Sequence, residues 1–414
     1  MRLAIELYGT RIGTLEGDAR TFDFIPAAEA IEVFGSNSPV LSTAIPLTAQ
    51  QRRDHAGRRR NWFAEILPEG DQYEYLLAQG GLRRGDTPAF LARYGRDVAG
   101  ALQIWDLDDP TEPKTPALRH VSDAEIRGLM QDPMHVPLAN DRLQGKSSLG
   151  GVQPKIVLTK TNEGWAQALG GSPSTHILKP RLSGARASVI YDEEYGARLA
   201  RRMRLAAFET GVQVFDGLPA LVVERYDRVH GERVHQEDLS QALGAGGNEK
   251  YQELGGVVSL RRVAQTLQRH AAESDLHRLA RTVLLAVSVG NLDMHTKNIA
   301  LLHPRNGEVH LAPAYDMVPQ THLPGDGRLA LSVHGKYRHT EITREDLVEE
   351  FHGWGMRRGE RLIDDGLEEL ESIVASESPV AGAFPELQQQ IAQYVRNLRS
   401  GSAAGGPRYT VNHG

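Results

Sequence analysis

The stretch N-L-D-M-H-T-K-N, Asn291–Asn298, comes one glycine after the apolar run Val283–Val289, which only Ser288 interrupts. An apolar run of that kind belongs in a core. The eight residues after it carry an Asp, a His, a Lys and two Asn. Polar side chains at that density next to buried structure are costly unless they pair with one another or meet a ligand. A structural network of turn hydrogen bonds is the competing reading. The D-M-H within the stretch has the look of a metal pair, but no second cluster with zinc spacing exists.

The spacing inside the stretch is more informative. Asp293 followed five positions later by Asn298 matches a catalytic loop in which the Asp accepts a hydroxyl proton and the Asn holds magnesium. Phosphoryl transfer from ATP also needs a phosphate cradle, a cation on the phosphates and a second metal-binding carboxylate. Asp316, in Y-D-M (Tyr315–Met317), comes after the strand-like Val309–Ala312 and can bracket a magnesium–phosphate complex with Asp293; alone it reads as a turn aspartate. Lys179 ends the apolar strand H-I-L-K-P and can neutralise phosphate charge, or snorkel at a strand edge. Glu194 in D-E-E-Y can hold such a lysine, or be a solvated helix charge. The segment S-S-L-G-G-V-Q-P-K, Ser147–Lys155, enters a strand through a glycine pair. Glycines let backbone N–H groups approach phosphate, although an ordinary hairpin turn has the same composition. Glu224-Arg225-Tyr226-Asp227 ends a strand where an adenine can meet backbone; a charged strand end in solvent is the alternative. His235-Gln236-Glu237-Asp238 with Gln241 reads either as a capped helix start or as a group that orients the catalytic loop.

Working outward, the first 105 residues form a small α+β unit. Leu3–Tyr8, Gly9 and Ile12–Leu15 predict a hairpin. Trp62–Leu67 is an apolar segment closed by Pro68-Glu69-Gly70. Tyr73–Ala78 and Pro88–Tyr94 have helical spacing, and Val98–Trp105 reads as a strand. Residues 106–118, acid- and proline-rich at the start, predict a linker. Strands are expected at Val152–Thr159, Thr175–Lys179 and Leu218–Tyr226, with an amphipathic helix at Asp192–Met203. Helices are expected at Leu260–Ala272, Leu276–Val289 and Arg344–Trp354. Residues 119–228 thus predict a strand-rich lobe, residues 229–400 a helical one with a cleft between, and 401–414 a disordered tail.

The chain has 414 residues and a net charge of −6, which excludes a nucleic-acid-coating basic protein but leaves room for a local patch. Arg52, Arg53, Arg58, Arg59 and Arg60 are such a run: a solvated loop, or a contact to DNA phosphates. There is no cysteine, so disulfides and thiolate chemistry are excluded. Glu6 breaks any signal-peptide core, and no apolar run is long enough to span a bilayer. A cytoplasmic protein without membrane contact is expected.

Taken together, W-F-A-E-I-L-P-E-G (62–70), S-S-L-G-G-V-Q-P-K (147–155), T-H-I-L-K-P (175–180), E-E-Y (193–195), V-E-R-Y-D-R (223–228), H-Q-E-D-L-S-Q (235–241), N-L-D-M-H-T-K-N (291–298) and A-Y-D (314–316) resemble the HipA family of serine/threonine kinase toxins. Each piece is modest; eight in order, across residues 1–400, are specific. The resemblance implies an α+β, two-lobed protein-kinase-like fold related to lipid kinases, with an N-terminal α+β subdomain and a mostly helical C-terminal lobe. It implies ATP and Mg2+ as cofactors. Asp293 would be the catalytic base, with Asn298 and Asp316 on magnesium. The ATP site would take in Ser148, Gly150, Gly151, Val152, Lys179, Glu224, Tyr226, His295, Lys297 and Tyr315. Glu194, His235, Asp238 and Gln241 would support it from behind. Ser148, or its neighbour Ser147, falls on the family's inactivating autophosphorylation site. A HipB-like helix-turn-helix antitoxin dimer, operator DNA bound through it, and an aminoacyl-tRNA synthetase target of the glutamyl type are implied as partners. Met294 departs from the small or acidic residue expected there.

Two other functions fit the same residues. A small-molecule or lipid kinase would not need the regulatory serine. A non-catalytic corepressor would only bind antitoxin and DNA, and the intact set Lys179, Asp293, Asn298 and Asp316 argues against it.

Overall fold

A computed structural model describes residues 1–131 and 153–405 and divides into two compact units. The first comprises Met1–Pro180, Gly211–Gly247 and Ala300–His310. The second comprises Arg181–Thr210, Asn248–Ile299 and Leu311–Gly414. This division differs from the one expected at residue 228. The helix Val189–Arg202 packs with the helices of the second unit, and the strands His235–Asp238 and Ala300–His303 belong to the first.

In the first unit, Arg2–Leu7 and Thr10–Glu16 form the expected antiparallel hairpin. Leu102–Asp106 pairs on its other side and Asp23–Pro26 extends it to four strands. Alternate residues Leu3, Ile5 and Leu7 are fully buried against Trp62, Phe63, Phe90 and Leu91, the period-two pattern of a one-faced sheet. Trp62 lies on the helix Ala56–Ala64, which begins well before the apolar segment expected at Trp62–Leu67. The run Arg58–Arg60 hides the helical period because one of its members, Arg59, points inward.

A second, six-stranded sheet runs in the order Ala117–Val121, Gly164–Leu169, Ile156–Thr161, His176–Pro180, Leu218–Glu224, Thr210–Phe215. Its core is Ile156, Leu158, Leu178, Val222, Trp165 and Phe215. Residues 106–118 do not behave as a free linker. Leu107 N–H bonds the Arg2 carbonyl (3.0 Å), the Glu112 side chain is fully buried beside Arg96, and Ala117 already pairs with Leu169.

The first unit is fastened by buried ionic groups. Glu237 is fully buried and accepts from Ser42 Oγ (2.5 Å), Thr43 N and Oγ1 (both 2.8 Å), Trp62 Nε1 (2.8 Å) and His303 Nε2 (3.1 Å). Burial alone would raise its pKa, but His303, Ser42 and Trp62 reverse this and hold it at about 2. Beside it, Asp97, Arg225, Asp227 and Arg228 form a second buried cluster, joined by Ser174 and the Gly100 N–H. Burial opposes the charge on Asp97, and the three arginines Arg225, Arg228 and Arg233 keep it ionised.

The second unit is helical: Val189–Arg202, Leu260–His270, Glu273–Val289, Arg344–Gly353, Gly359–Ser376 and Leu387–Arg399. The last two add to the helices read from sequence, and their apolar spacing (Ile363, Leu367, Leu370, Val374; Leu387, Ile391, Tyr394, Val395, Leu398) is regular and buried. Tyr195, Leu199 and Met203 form the buried face expected of their helix. The tail expected to be disordered from residue 401 is held as far as Gly405. There, Ala404 is fully buried, its N–H bonds the Ile342 carbonyl (2.7 Å), and its carbonyl accepts from Asn397 Nδ2 (2.9 Å). The remainder of that tail lies outside the described residues.

Glu237→Ala is expected to cost about 3–5 kcal/mol, because it strands buried donors and an uncompensated cluster. With a folded pKa near 2 against an ordinary 4.5, the carboxylate stabilises the fold fully above the ordinary value, and this contribution fades as pH falls toward 2. Thermal melts at pH 7 and pH 3 should show this acid sensitivity in the native chain and not in Glu237→Gln.

Candidate active site

The catalytic-loop stretch is launched by a helix end. The helix Glu273–Val289 is fully buried along Val283–Val287 and stops at Gly290, whose φ of 71° closes the turn. Asn291 N–H then bonds back to the Ala286 carbonyl (2.8 Å). His339 Nε2, buried, donates to the Val287 carbonyl (2.7 Å) and satisfies that end of the helix from another direction.

Asn291, 2% exposed, is the hub of the loop. Its Oδ1 accepts from Asp293 N (3.1 Å) and its Nδ2 donates to the Asp316 carbonyl (3.4 Å). One side chain therefore ties the backbone of Asp293 to the backbone of Asp316. Asn298 Nδ2 donates to the Asp293 carbonyl (2.9 Å). Tyr315 Oη donates to the Lys297 carbonyl (2.7 Å). Leu292 is anchored from the strand Arg328–Val333 by Ala330 N–H on its carbonyl (2.9 Å). Asp293, Asn298, Lys297, Tyr315 and Asp316 are thus brought together by bonds within the second unit. Asn291, to which residue type and spacing assign no role, is what joins them. A buried Asn at the mouth of a polar loop was the available signal.

Asp316 has a φ of 55°. A non-glycine residue in this left-handed region carries strain of about 1–3 kcal/mol, and such positions concentrate at functional sites. The backbone after it is pinned by Gly196, which lies on the helix Val189–Arg202. A Cβ on Gly196 would stand 1.9 Å from the Met317 carbonyl oxygen. The glycine after E-E-Y is therefore a spacing requirement for the Y-D-M turn.

Several expectations are revised. Glu194 pairs with Arg198, which donates from Nε and Nη2 (3.1 and 2.9 Å) and also reaches Glu377. This is an i,i+4 ion pair on its own helix. The V-E-R-Y-D-R strand end is not solvated: Arg225, Asp227 and Arg228 belong to the buried ionic cluster of the first unit, while Tyr226 Oη bonds Gln236. Asp97 and Ser174, the partners of that cluster, carried no signal in the sequence. Asp238 and Gln241 form a capping box, so the capped helix start is what the structure builds. His235 is neutral, its pKa lowered to about 3 by burial and the neighbouring His303, and its Nε2 donates to the Leu41 carbonyl (2.8 Å). Gln241 Nε2 holds the Trp62 carbonyl (3.1 Å). The same segment pairs as a strand with Ala300–His303, Asp238 opposite Ala300, two residues beyond Asn298.

Lys179, 8% exposed, lies on the strand His176–Pro180 opposite Leu221 of the neighbouring strand, which also carries Glu224. In the arginine run, Arg59 is buried on Asp23 (2.6 and 2.7 Å), Arg58 bonds the Ala242 carbonyl (2.9 Å), and Arg52 pairs with Asp54. Arg59 is therefore a structural residue and does not face a partner. Ser147, Ser148, Gly150, Gly151 and Val152 lie outside the described residues.

Sequence and fold relatives bear on this site. Residues 147–376 match the HipA-like C-terminal domain and residues 3–105 the HipA N-terminal domain. The chain belongs to the HipA family of serine/threonine kinase toxins. It is 31% identical over 305 residues to the putative kinase Y4mE of Sinorhizobium fredii, covering 70% of each. It is 26% identical to the serine/threonine-protein kinase toxin HipA of Shewanella oneidensis, over 99% of this chain and 96% of that one. Its fold matches the HipA in a solved complex of HipA, HipB and operator DNA from Shewanella oneidensis, with a TM-score of 0.76 and 24% identity over 96% of both chains. The chain is thus a kinase with the expected α+β, kinase-like fold, and its chemistry is ATP-dependent phosphoryl transfer.

The residues present fit a nucleotide-borne metal. Among the described residues no three His, Cys, Asp or Glu side chains gather into a metal site of their own. Magnesium in phosphoryl transfer asks for less: one or two carboxylates completed by phosphate oxygens and water. The amide oxygen of Asn298 and the carboxylate of Asp316 are donors of that kind. No described helix is long and apolar enough to cross a membrane.

Gly196→Ala should lower phosphoryl transfer sharply at a stability cost of only about 1–3 kcal/mol, since the new methyl displaces the turn that carries Asp316. A kinase assay at saturating magnesium beside a thermal melt reads both, and unchanged activity would remove Gly196 from the site.

Proposed function

We propose that the chain is the toxin of a HipBA-type toxin–antitoxin pair, a magnesium-dependent protein kinase whose target is an aminoacyl-tRNA synthetase, the glutamyl enzyme first among them. The observation that carries the reading is the Asn291 bridge, which ties the backbone of a candidate base to that of a candidate metal ligand.

Magnesium-ATP, when bound, supplies the phosphoryl group and spreads its charge over the metal and the oxygens. Asn298 and Asp316 would hold the metal. Lys179 would neutralise phosphate charge, Glu224 and Tyr226 would serve the adenine, and His295, Lys297 and Tyr315 would serve the nucleotide. Asp293 orients the serine or threonine hydroxyl and accepts its proton, a role a half-exposed carboxylate on a fixed loop is placed to fill. Phosphorylation of Ser148 or Ser147 would place negative charge beside the nucleotide and switch the enzyme off. A HipB-like dimer carries the kinase to operator DNA. Because Arg59 is buried and Arg58 is bonded, any direct phosphate contact of the arginine run falls to its other members.

Asp293→Ala should lower transfer from labelled ATP by about 100-fold or more and abolish growth arrest on expression. Phosphoproteomics after expression of the native chain should then show one dominant synthetase phosphosite absent with the variant. An active Asp293→Ala sinks the catalytic assignment, and a dominant site on another class of protein sinks the target.

A further inference from the structure

Asp293 is not alone at the end of its loop. The segment G-N-E-K-Y-Q-E-L, Gly247–Leu254, lies outside the eight short motifs read from the sequence, yet it brings Tyr251 against the carboxylate. Tyr251 Oη lies 3.3 Å from Asp293 Oδ1, the hydroxyl donating. The Asp293 side chain is 46% exposed, and His295 Nε2 of its own loop stands 4.0 Å from the same oxygen. The phenol adds a contact from a separate segment.

Tyr251 is itself held from several sides. Its N–H bonds the Asn248 carbonyl (3.1 Å) and its carbonyl accepts from Leu254 (3.0 Å). The neighbouring Gln252 is clamped to the strand Arg328–Val333: its N–H bonds the Ala330 carbonyl (3.1 Å), and its Oε1 accepts from Ser332 N (2.9 Å) and Oγ (3.1 Å). The ring meets His295 edge-on at 5.3 Å between centroids, and the buried Lys250 ammonium stands 5.3 Å from its centre. Thr296 Oγ1 fastens the Lys250 carbonyl to the catalytic loop (3.3 Å). A phenol fixed by its backbone, by a ring contact and by a cation is a rigid support, and rigid support of a reacting group is what orientation in catalysis requires.

We propose that Tyr251 is a positioning residue for phosphoryl transfer: its hydroxyl holds the Asp293 carboxylate in the rotamer that receives the acceptor hydroxyl. The proposal rests on Asp293 being the base. Tyr251 touches neither nucleotide nor acceptor in this role, so its loss acts on the turnover step and leaves nucleotide binding alone.

The test uses the full-length chain with labelled magnesium-ATP and four proteins: native, Tyr251→Phe, Asp293→Asn and the double variant. Tyr251→Phe should lower kcat for transfer to protein by about tenfold or more, with KM for ATP, binding of a fluorescent ATP analogue and Tm unchanged. In the Asp293→Asn background the same change should cost nothing further, because the group it positions is gone. A kcat within twofold of native overturns the proposal. So does an equal fold-loss in both backgrounds, or a fall in kcat that tracks a fall in Tm. Full activity of Asp293→Asn instead overturns the assignment of the base, a result separable from the fate of Tyr251.

Discussion

A carboxylate that accepts five hydrogen bonds in a fully buried site has to be placed before anything around it can settle. Glu237 is that group. Three of its donors come from the loop at Ser42 and Thr43, one from Trp62 on the helix Ala56–Ala64, and one from His303 on the strand that leaves the catalytic loop. Taking such a charge out of water is costly, and the cost is offset only when every lone pair is met. The N-terminal segment therefore cannot drift relative to the strands His235–Asp238 and Ala300–His303 without exposing an unsatisfied charge. The W-F-A-E-I-L-P-E-G motif serves this bond set: its Trp supplies an indole N–H to Glu237 and its backbone carbonyl accepts from Gln241.

The second ionic cluster extends the same logic along the V-E-R-Y-D-R strand. Arg225, Asp227 and Arg228 turn inward to Asp97, Ser174 and the Gly100 N–H, while Glu224 and Tyr226 occupy the alternate positions. Most of one short motif thus braces the fold: three of its residues are buried in the ionic cluster, and Tyr226 bonds Gln236. This is why the motif is dense in charge, and why neither a solvated strand end nor a uniformly ligand-facing one describes it.

Much of the architecture could be read from periodicity. The hairpin Arg2–Leu7/Thr10–Glu16, the helix around Tyr195 and the long helix ending at Gly290 each repeat at the period their geometry imposes. The features that periodicity misses depend on contacts between residues far apart in the chain. Glu194 reads in the sequence as a possible lysine partner, and its ion pair with Arg198, one turn along the same helix, shows only in three dimensions. Arg59 sits among solvent-facing arginines and is buried, because Asp23, on a strand thirty-six residues earlier, offers a bidentate carboxylate. Tyr251 belongs to a segment without regular period, so only its spatial approach to Asp293 marks it. In the candidate site, Asp293, Asn298 and Asp316 were legible from residue type and spacing, whereas Asn291 and Gly196, which set their geometry, act through backbone atoms that a pattern of side chains does not display.

The strand residue Ala330 takes this last point further. Its N–H is bonded to the Leu292 carbonyl and its carbonyl to the Gln252 N–H, so a single peptide neighbourhood links the catalytic loop to the segment carrying Tyr251. Bonds strung in such a series polarise one another. The methyl group has no part in it. An alanine scan, the usual instrument for finding residues that matter, passes over this position by construction. Proline, which has no amide hydrogen, would cut it.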